Sequence, residues 1–406
     1  MPVALLGAVG LGLNFLIAAW WGAAALGVFN LVTIAFFVFA VVGACGIQYS
    51  VLRAVAEDTE DRARVAAIVV GALVPNIALA ALATAAFLAA RGPFAALHGD
   101  AAVAEGMLWA APGLFCFAVN KVLFGVVNGQ RRMRAFAVYT SLRYLLIAAG
   151  LFVARGADVS AAQLPVIWTF AEGTLLLVLI GELVATVSLV RGAGWRRWMR
   201  EHLDYGARGV TATLAAEINS KLDVWMLGAA GIAKELVGVY SLAAALNEGV
   251  AQLSVVVTNN LNPIMARSLA AERPDEVVAL ARRTRRWFVP ALAGACALGA
   301  LAYPIIIPRL LNDASFAAGT TPFAVLMVGV VLASPYLPFN QILLMAHRPG
   351  WHTVFVVLVV AINFVADLML IPQLGVTGAA AATSIAAIGS ALLIRRMARG
   401  RAGVRI

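Results

Sequence analysis

The chain has 406 residues, of which 63% are hydrophobic and only 12% charged, with a mean hydropathy of +0.92. That composition excludes a soluble globular domain and points to a polytopic membrane protein. The formal charge of +10 would suggest a nucleic-acid partner in a soluble chain, but here the Lys and Arg report topology first, and no nucleic acid is expected.

Apolar windows of about 20 residues, each long enough for roughly 30 Å of hydrocarbon, recur twelve times. They lie near 2–20, 28–50, 65–90, 106–129, 135–154, 163–190, 208–228, 236–264, 287–308, 317–346, 351–372 and 376–395. The first window has no basic stretch before it, so a cleaved signal peptide is not expected. An even count places both termini on one side. Twenty-three of the thirty Lys and Arg fall in the even-numbered connections and the carboxyl tail, against four in the odd-numbered ones. The positive-inside rule therefore puts the termini in the cytoplasm. The remaining three, Lys121, Arg143 and Lys221, fall well inside spans.

The longer connection at 191–207 divides the chain into a six-helix bundle over 1–190 and a second over 208–406. Within it, Trp195, Trp198, Met199 and Leu203 alternate at helical spacing with Arg196, Arg197, Arg200, Glu201 and Asp204, the pattern of a helix lying in the cytoplasmic interface. A weak repeat links the halves. Gly27-Val28-Phe29-Asn30-Leu31 opens the second span and Gly238-Val239-Tyr240-Ser241-Leu242 the eighth, in the same direction. Such a repeat implies parallel six-helix bundles related by an axis along the membrane normal.

Charged groups inside spans cost at least about 2.5–3.5 kcal/mol each, so they normally face a protein interior or a wet cavity. The stretch 211–248 is richest in them, with Glu217, Asn219, Lys221 and Asp223 in one helix and Asn247 and Glu248 in the next. Lys121 follows Asn120 in the fourth span and shares a face with Phe117 and Phe124; Arg143 stands in the fifth beside Tyr139 and Tyr144. Cations from three helices can converge on a poorly hydrated cavity and hold phosphate, or each can neutralise a nearby carboxylate and lock helices together. Glu217, one turn before Lys221, offers such a partner.

The acidic set is Glu172, Glu182, Glu217, Asp223, Glu248 and Asp367. Each is a candidate for taking and releasing a coupling ion or for a structural ion pair, and Glu182 and Asp367 stand near enough to helix ends to be wetted. Asn259, Asn260, Asn262 and Pro263, and Pro335, Pro338, Asn340 and Gln341, mark helices expected to be interrupted. The three cysteines and four histidines have no metal-ligand spacing, so neither a metal nor a cofactor is expected.

The runs GVVNGQRRMRAFAVYTSLRYLLIAAGLFVA at 125–154 and YGARGVTATLAAEINSKLDVWMLGAAG followed by VGVYSLAAALNE at 205–248, with Leu-Gly-Val-Phe at 26–29, resemble the Wzx-type polysaccharide (O-antigen) flippases of the multidrug/oligosaccharidyl-lipid/polysaccharide exporter superfamily. The resemblance implies an all-α, MATE-like fold of about twelve transmembrane helices in the cytoplasmic membrane. It also implies ion-coupled alternating access that moves an undecaprenyl-diphosphate-linked oligosaccharide between leaflets. Partners would be that lipid-linked substrate, a proton or sodium ion, membrane lipids and polysaccharide-assembly proteins. Lys121, Arg143, Lys221, Asn120 and Asn219 become candidates for the anionic substrate, and Asp223, Glu217, Glu172, Glu248 and Asp367 for coupling. Two departures stand out: the chain begins almost inside its first span, without the usual basic leader, and it has twelve spans where lipid II flippases of the superfamily have fourteen. A MATE-type drug/cation antiporter is the nearest alternative. A polytopic glycosyltransferase, polymerase or ligase fits less well, because the outer connections are short and lack a suitable acidic pair.

Overall fold

The computed structural model describes residues 2–57, 62–187, 194–346, 348–401 and 403–404, without the side chains at 2–9, 208–213, 215–220, 263 and 349. Among these residues the structure is helical, with no strand. The helices are α1 (Pro2–Ala44), α2 (Ile47–Glu57), α3 (Arg62–His98), α4 (Ala101–Gly129), α5 (Met133–Gly156), α6 (Val166–Thr186), α7 (Trp195–Ala229), α8 (Lys234–Ala270), α9 (Pro274–Leu311), α10 (Thr320–Ala333), α11 (Ile342–Met345), α12 (Pro349–Leu374) and α13 (Val376–Arg401).

Ten segments among the described residues are long and apolar enough to cross a membrane, and the protein is a multi-pass membrane protein. Two differences separate that number from the twelve expected. The first two expected spans lie in the single element α1, whose 43 residues would reach about 65 Å if straight, twice the hydrocarbon thickness. The expected connection between them, WGAAALG at 21–27, is rich in helix-favouring Ala and Leu; Gly22 alone leaves the helix, at φ 86° and ψ 176°. The other difference is α7, where Glu217, Lys221 and Asp223 crowd three charges into the apolar part. Of the two expected interruptions, α8 runs through Asn259–Pro263 without a break, whereas the chain after α10 is broken at Pro335 and resumes as a 3-10 turn at Leu337–Phe339 and then α11.

The chain forms two compact units, one of Met1–Leu13 with Val28–Lys221 and one of Asn14–Gly27 with Leu222–Ile406. The change of unit thus comes at Lys221–Leu222, and the segment 195–207 is the first part of α7 within unit 1. It is packed there as well as amphipathic. Gly46, at φ 69°, and Gly206 meet backbone to backbone, and His202 is fully buried against α2 and α3. Ser50 Oγ lies 2.8 Å from His202 Nδ1, and Nε2 lies 3.2 Å from the carbonyl oxygen of Ile68. A carbonyl only accepts, so the proton sits on Nε2 and Ser50 donates to Nδ1. The core of unit 1 joins α2, α3, α4 and α6 through Ile47, Val51, Ile68, Val122, Leu175 and Leu179.

In unit 2, the two glycines that open the repeat lie against each other. A Cβ on Gly27 would overlap the carbonyl oxygen of Lys234, and one on Gly238 would overlap that of Ala23. Only glycine permits this approach of α1 and α8. A second cluster of unit 2, built on Met265, Val277, Phe339, Ile342 and Ile394, gathers α8, α9, α11 and α13 around the broken segment.

Two outcomes are expected. Gly238→Val destabilises the purified protein by roughly 3 kcal/mol, read as a lower melting temperature in detergent, whereas Gly249→Ala, with nothing within 4 Å, leaves it unchanged. Burial, and secondarily the charge of Arg53, push the His202 imidazole from 6.5 down to about 4. The fold therefore prefers neutral His202, so its contribution is complete above pH 6.5 and declines as pH falls toward 4, by up to about 3 kcal/mol. Melting temperature measured across that window falls in the native protein and flattens in His202→Gln.

Candidate functional site

In each unit, polar residues from several helices come together in a cluster. In unit 1, α4 presents Phe117, Asn120, Lys121 and Phe124 at spacings of three and four, hence along one helical face. Arg143 of α5 and Glu172 of α6 complete the group. Arg143 Nη2 donates to Glu172 Oε2 at 3.0 Å, and Nε stands 2.8 Å from Oε1 as an ion contact outside hydrogen-bonding geometry. Asn120 Nδ2 donates both to Glu172 Oε2 at 2.8 Å and to the Glu172 carbonyl oxygen at 3.0 Å. Glu172 and Asn120 are fully buried, and the Arg143 side chain is 16% exposed.

The Arg143 guanidinium lies 4.9 Å from the Phe117 ring centre and 4.8 Å from that of Phe124, while Lys121 Nζ stands 5.1 Å from Phe117. Two cations thus converge on the Phe117 ring, and Arg143 also pairs with Glu172. Desolvation strengthens both the ion pair and the cation–π contacts relative to water. Nearer the Arg132 end of α5, Glu182 accepts a hydrogen bond from Tyr139 at 2.7 Å and pairs with Arg132, so it is held as an ion-pair partner.

In unit 2 the cluster is built from oxygen atoms. Asp223 Oδ2 accepts a short hydrogen bond from the fully buried Tyr240 of α8, Thr383 Oγ1 of α13 stands 3.5 Å away, and Asp223 Oδ1 accepts from Val224 N at 3.0 Å. On α12, Asn363 and Asp367 occupy one face, a turn apart. Asp367 lies within electrostatic reach of both Asp223 and Tyr240. It is fully buried rather than wetted, and both its carboxylate oxygens, like Asn363 Oδ1, make no hydrogen bond among the described residues. Buried oxygens in this condition carry a large desolvation cost, which a bound cation or proton relieves.

Of the residues singled out from sequence, the structure brings Asn120, Lys121, Arg143 and Glu172 together, and separately Asp223 with Asp367. Lys221 is half-buried and Glu248 exposed. Glu217 and Asn219 have side chains outside the described residues. Sequence reasoning missed Tyr240, Thr383 and Asn363. The Asn363–Asp367 spacing within an apolar helix was a readable signal; Tyr240 and Thr383 offered none beyond a hydroxyl in an apolar run.

Residues 4–269 match the family described as polysaccharide biosynthesis protein. No curated protein sequence matches the chain. Among solved structures, a lipid II flippase, MurJ, in an inward closed conformation aligns with a TM-score of 0.74 and 13% identity, over 98% of this chain and 86% of that one. An inward-facing multidrug resistance MATE family transporter of the MOP superfamily gives 0.77 and 14%, over 99% and 95%. A MOP superfamily transporter from Pyrococcus furiosus, described as having a binding pocket of reverse polarity, gives 0.61 and 14%, over 99% and 94%. At such identities the likeness is one of fold.

The unit 1 ion pair yields a double-mutant test. Glu172→Met alone leaves the Arg143 charge buried without its carboxylate and costs about 3–5 kcal/mol of stability. Adding Arg143→Met recovers most of that loss, as read from thermal unfolding in detergent. A double variant no more stable than Glu172→Met would mean that the pair is not what holds α5 to α6.

Proposed function

The chain belongs to the polysaccharide biosynthesis protein family, and on that premise we propose that it is a Wzx-type flippase of the cytoplasmic membrane. Its cargo is an undecaprenyl-diphosphate-linked oligosaccharide for cell-surface polysaccharide, and its action is transport rather than catalysis. The observation that supports this reading is the convergence of Lys121 and Arg143 on the Phe117 ring within the span region of unit 1, where Arg143 also meets Glu172. Two cations gathered on one aromatic face suit an anionic cargo such as a diphosphate better than a cationic drug. Arg143 is held by the Phe117 and Phe124 rings and by Glu172, so a phosphate oxygen would meet donors whose position is already restricted.

The oxygen cluster of unit 2 supplies the coupling. Asp223 and Asp367, with Asn363 and Thr383, offer hard oxygen donors suited to a proton or a sodium ion. Occupancy removes the repulsion between the two carboxylates, so the ion favours whichever conformation keeps them together. A ligand shifts a conformational equilibrium only by its differential affinity for the two states, and this repulsion is such a difference. Positive-inside topology places both termini in the cytoplasm, with membrane lipids and polysaccharide-assembly proteins as partners.

The MATE-type alternative draws on the same acidic pair, which a cationic drug could occupy. Translocation of a fluorescent undecaprenyl-diphosphate oligosaccharide in proteoliposomes separates the two readings. The intact chain flips the lipid faster under an inward proton or sodium gradient; Asp367→Asn abolishes that stimulation, and Arg143→Ala or Lys221→Ala lowers the rate at least about tenfold, equivalent to about 1.4 kcal/mol. Export of a cationic dye with no lipid flipping would overturn the flippase reading.

A further inference from the structure

A second basic group lies within unit 2, where α9 carries Arg282, Arg283, Arg285 and Arg286 and α13 carries Arg395 and Arg396. Two guanidinium groups converge there on one ring. Arg285 lies 4.5 Å from the centre of Tyr336 and Arg395 5.7 Å from it. Tyr336 belongs to the broken segment after α10, and the break itself supplies a handle: the Pro335 carbonyl oxygen accepts from Arg285 Nε at 2.9 Å and fixes the guanidinium plane. The Nη2 of Arg285 is enclosed yet makes no hydrogen bond.

No carboxylate offsets this convergence among the described residues. Neither arginine forms an ion pair. The nearest acid on α9 with a known engagement, Glu276, lies nine residues earlier, about 13 Å along the helix axis, and is held by Ser268 and Arg273. Two like charges against one ring, with an enclosed donor unused, is a costly arrangement unless an anion joins it.

We propose that Arg285, Arg395 and Tyr336 form a phosphate-binding site at the membrane interface. A phosphate group bridges the two guanidinium forks, taking the unused Nη2 donor of Arg285, while Tyr336 holds the forks in place by stacking. Phosphate fits better than a single carboxylate, because it offers enough oxygens for both forks. The basic end of a helical bundle is where phospholipid headgroups lie, so the phosphate belongs either to an anionic membrane lipid or to a diphosphate group. The site does not depend on the flippase reading.

The test is native mass spectrometry of the full chain in neutral detergent, titrated with dioleoylphosphatidylglycerol, with dioleoylphosphatidylcholine, and with inorganic pyrophosphate. Retention of phosphatidylglycerol over phosphatidylcholine, weakened about tenfold in Arg285→Gln and in Arg395→Gln but unchanged in Arg399→Gln, assigns the site to a lipid headgroup. Pyrophosphate binding with no lipid preference, lost in the same two variants, assigns it to a diphosphate. Equal binding of every probe by Arg395→Gln and the unchanged chain overturns the proposal. Arg395 is exposed, so this comparison stands even where Arg285→Gln fails to fold.

Discussion

The contact between Arg143 and Glu172 ties α5 to α6, and Asn120 ties α4 to α6 through the same carboxylate, because none of these groups can exchange its partner for water while enclosed by apolar side chains. In a soluble protein such a pair contributes little and often costs more in desolvation than it returns. Within hydrocarbon the comparison changes. The alternative to a partner is an isolated charge, so the pair becomes a geometric specification: three helices are held at the separations that let five atoms meet. The apolar core of unit 1 packs α2, α3, α4 and α6, with Phe136, Leu142 and Leu146 of α5 against it; the polar group adds directional contacts between α5 and α6 to that packing.

Unit 2 meets the same constraint differently. Asp223 accepts from Tyr240 and from the backbone N–H of Val224, whereas Asp367 and Asn363 are enclosed with oxygens left over among the described residues. One cluster gathers guanidinium and ammonium groups on aromatic rings, the other carboxylates and hydroxyls. Groups of opposite sign in the two clusters would let each prefer its own ligand and reject the other.

Most of the architecture could be read from the chain: its helical class, its membrane character, and a repeat whose two glycines lie in direct contact. Span boundaries were less legible, and for a physical reason. WGAAALG at 21–27 is as good a helix as a connection, and hydropathy alone does not register that Gly22 breaks it. Lys121, Arg143, Glu172 and Asp367 were all visible as expensive residues, but their partners were not, because Arg143 and Glu172 are 29 residues apart on different helices and no local spacing records the meeting. Tyr240 escaped notice because a buried hydroxyl looks like any aromatic core residue until its acceptor is known. Arg285 counts among the basic residues of the even-numbered connections, whereas the structure places it within α9; its enclosed Nη2 lies beside the break at Pro335, which no charge count reveals.

The membership of Asn14–Gly27 in unit 2 has a bearing on how the protein is made. These residues leave the ribosome some two hundred residues ahead of Gly238, against which Gly27 packs. At roughly 5–20 residues per second that interval is on the order of 10–40 s. Throughout it, the early segment is in the membrane without its final neighbour, while all of the α2–α6 region is synthesised. Order of synthesis and order of packing therefore cannot coincide. The small, apolar character of Ala23, Ala24, Ala25 and Gly27 suits a helix that must wait in lipid without aggregating and then admit a backbone at close range.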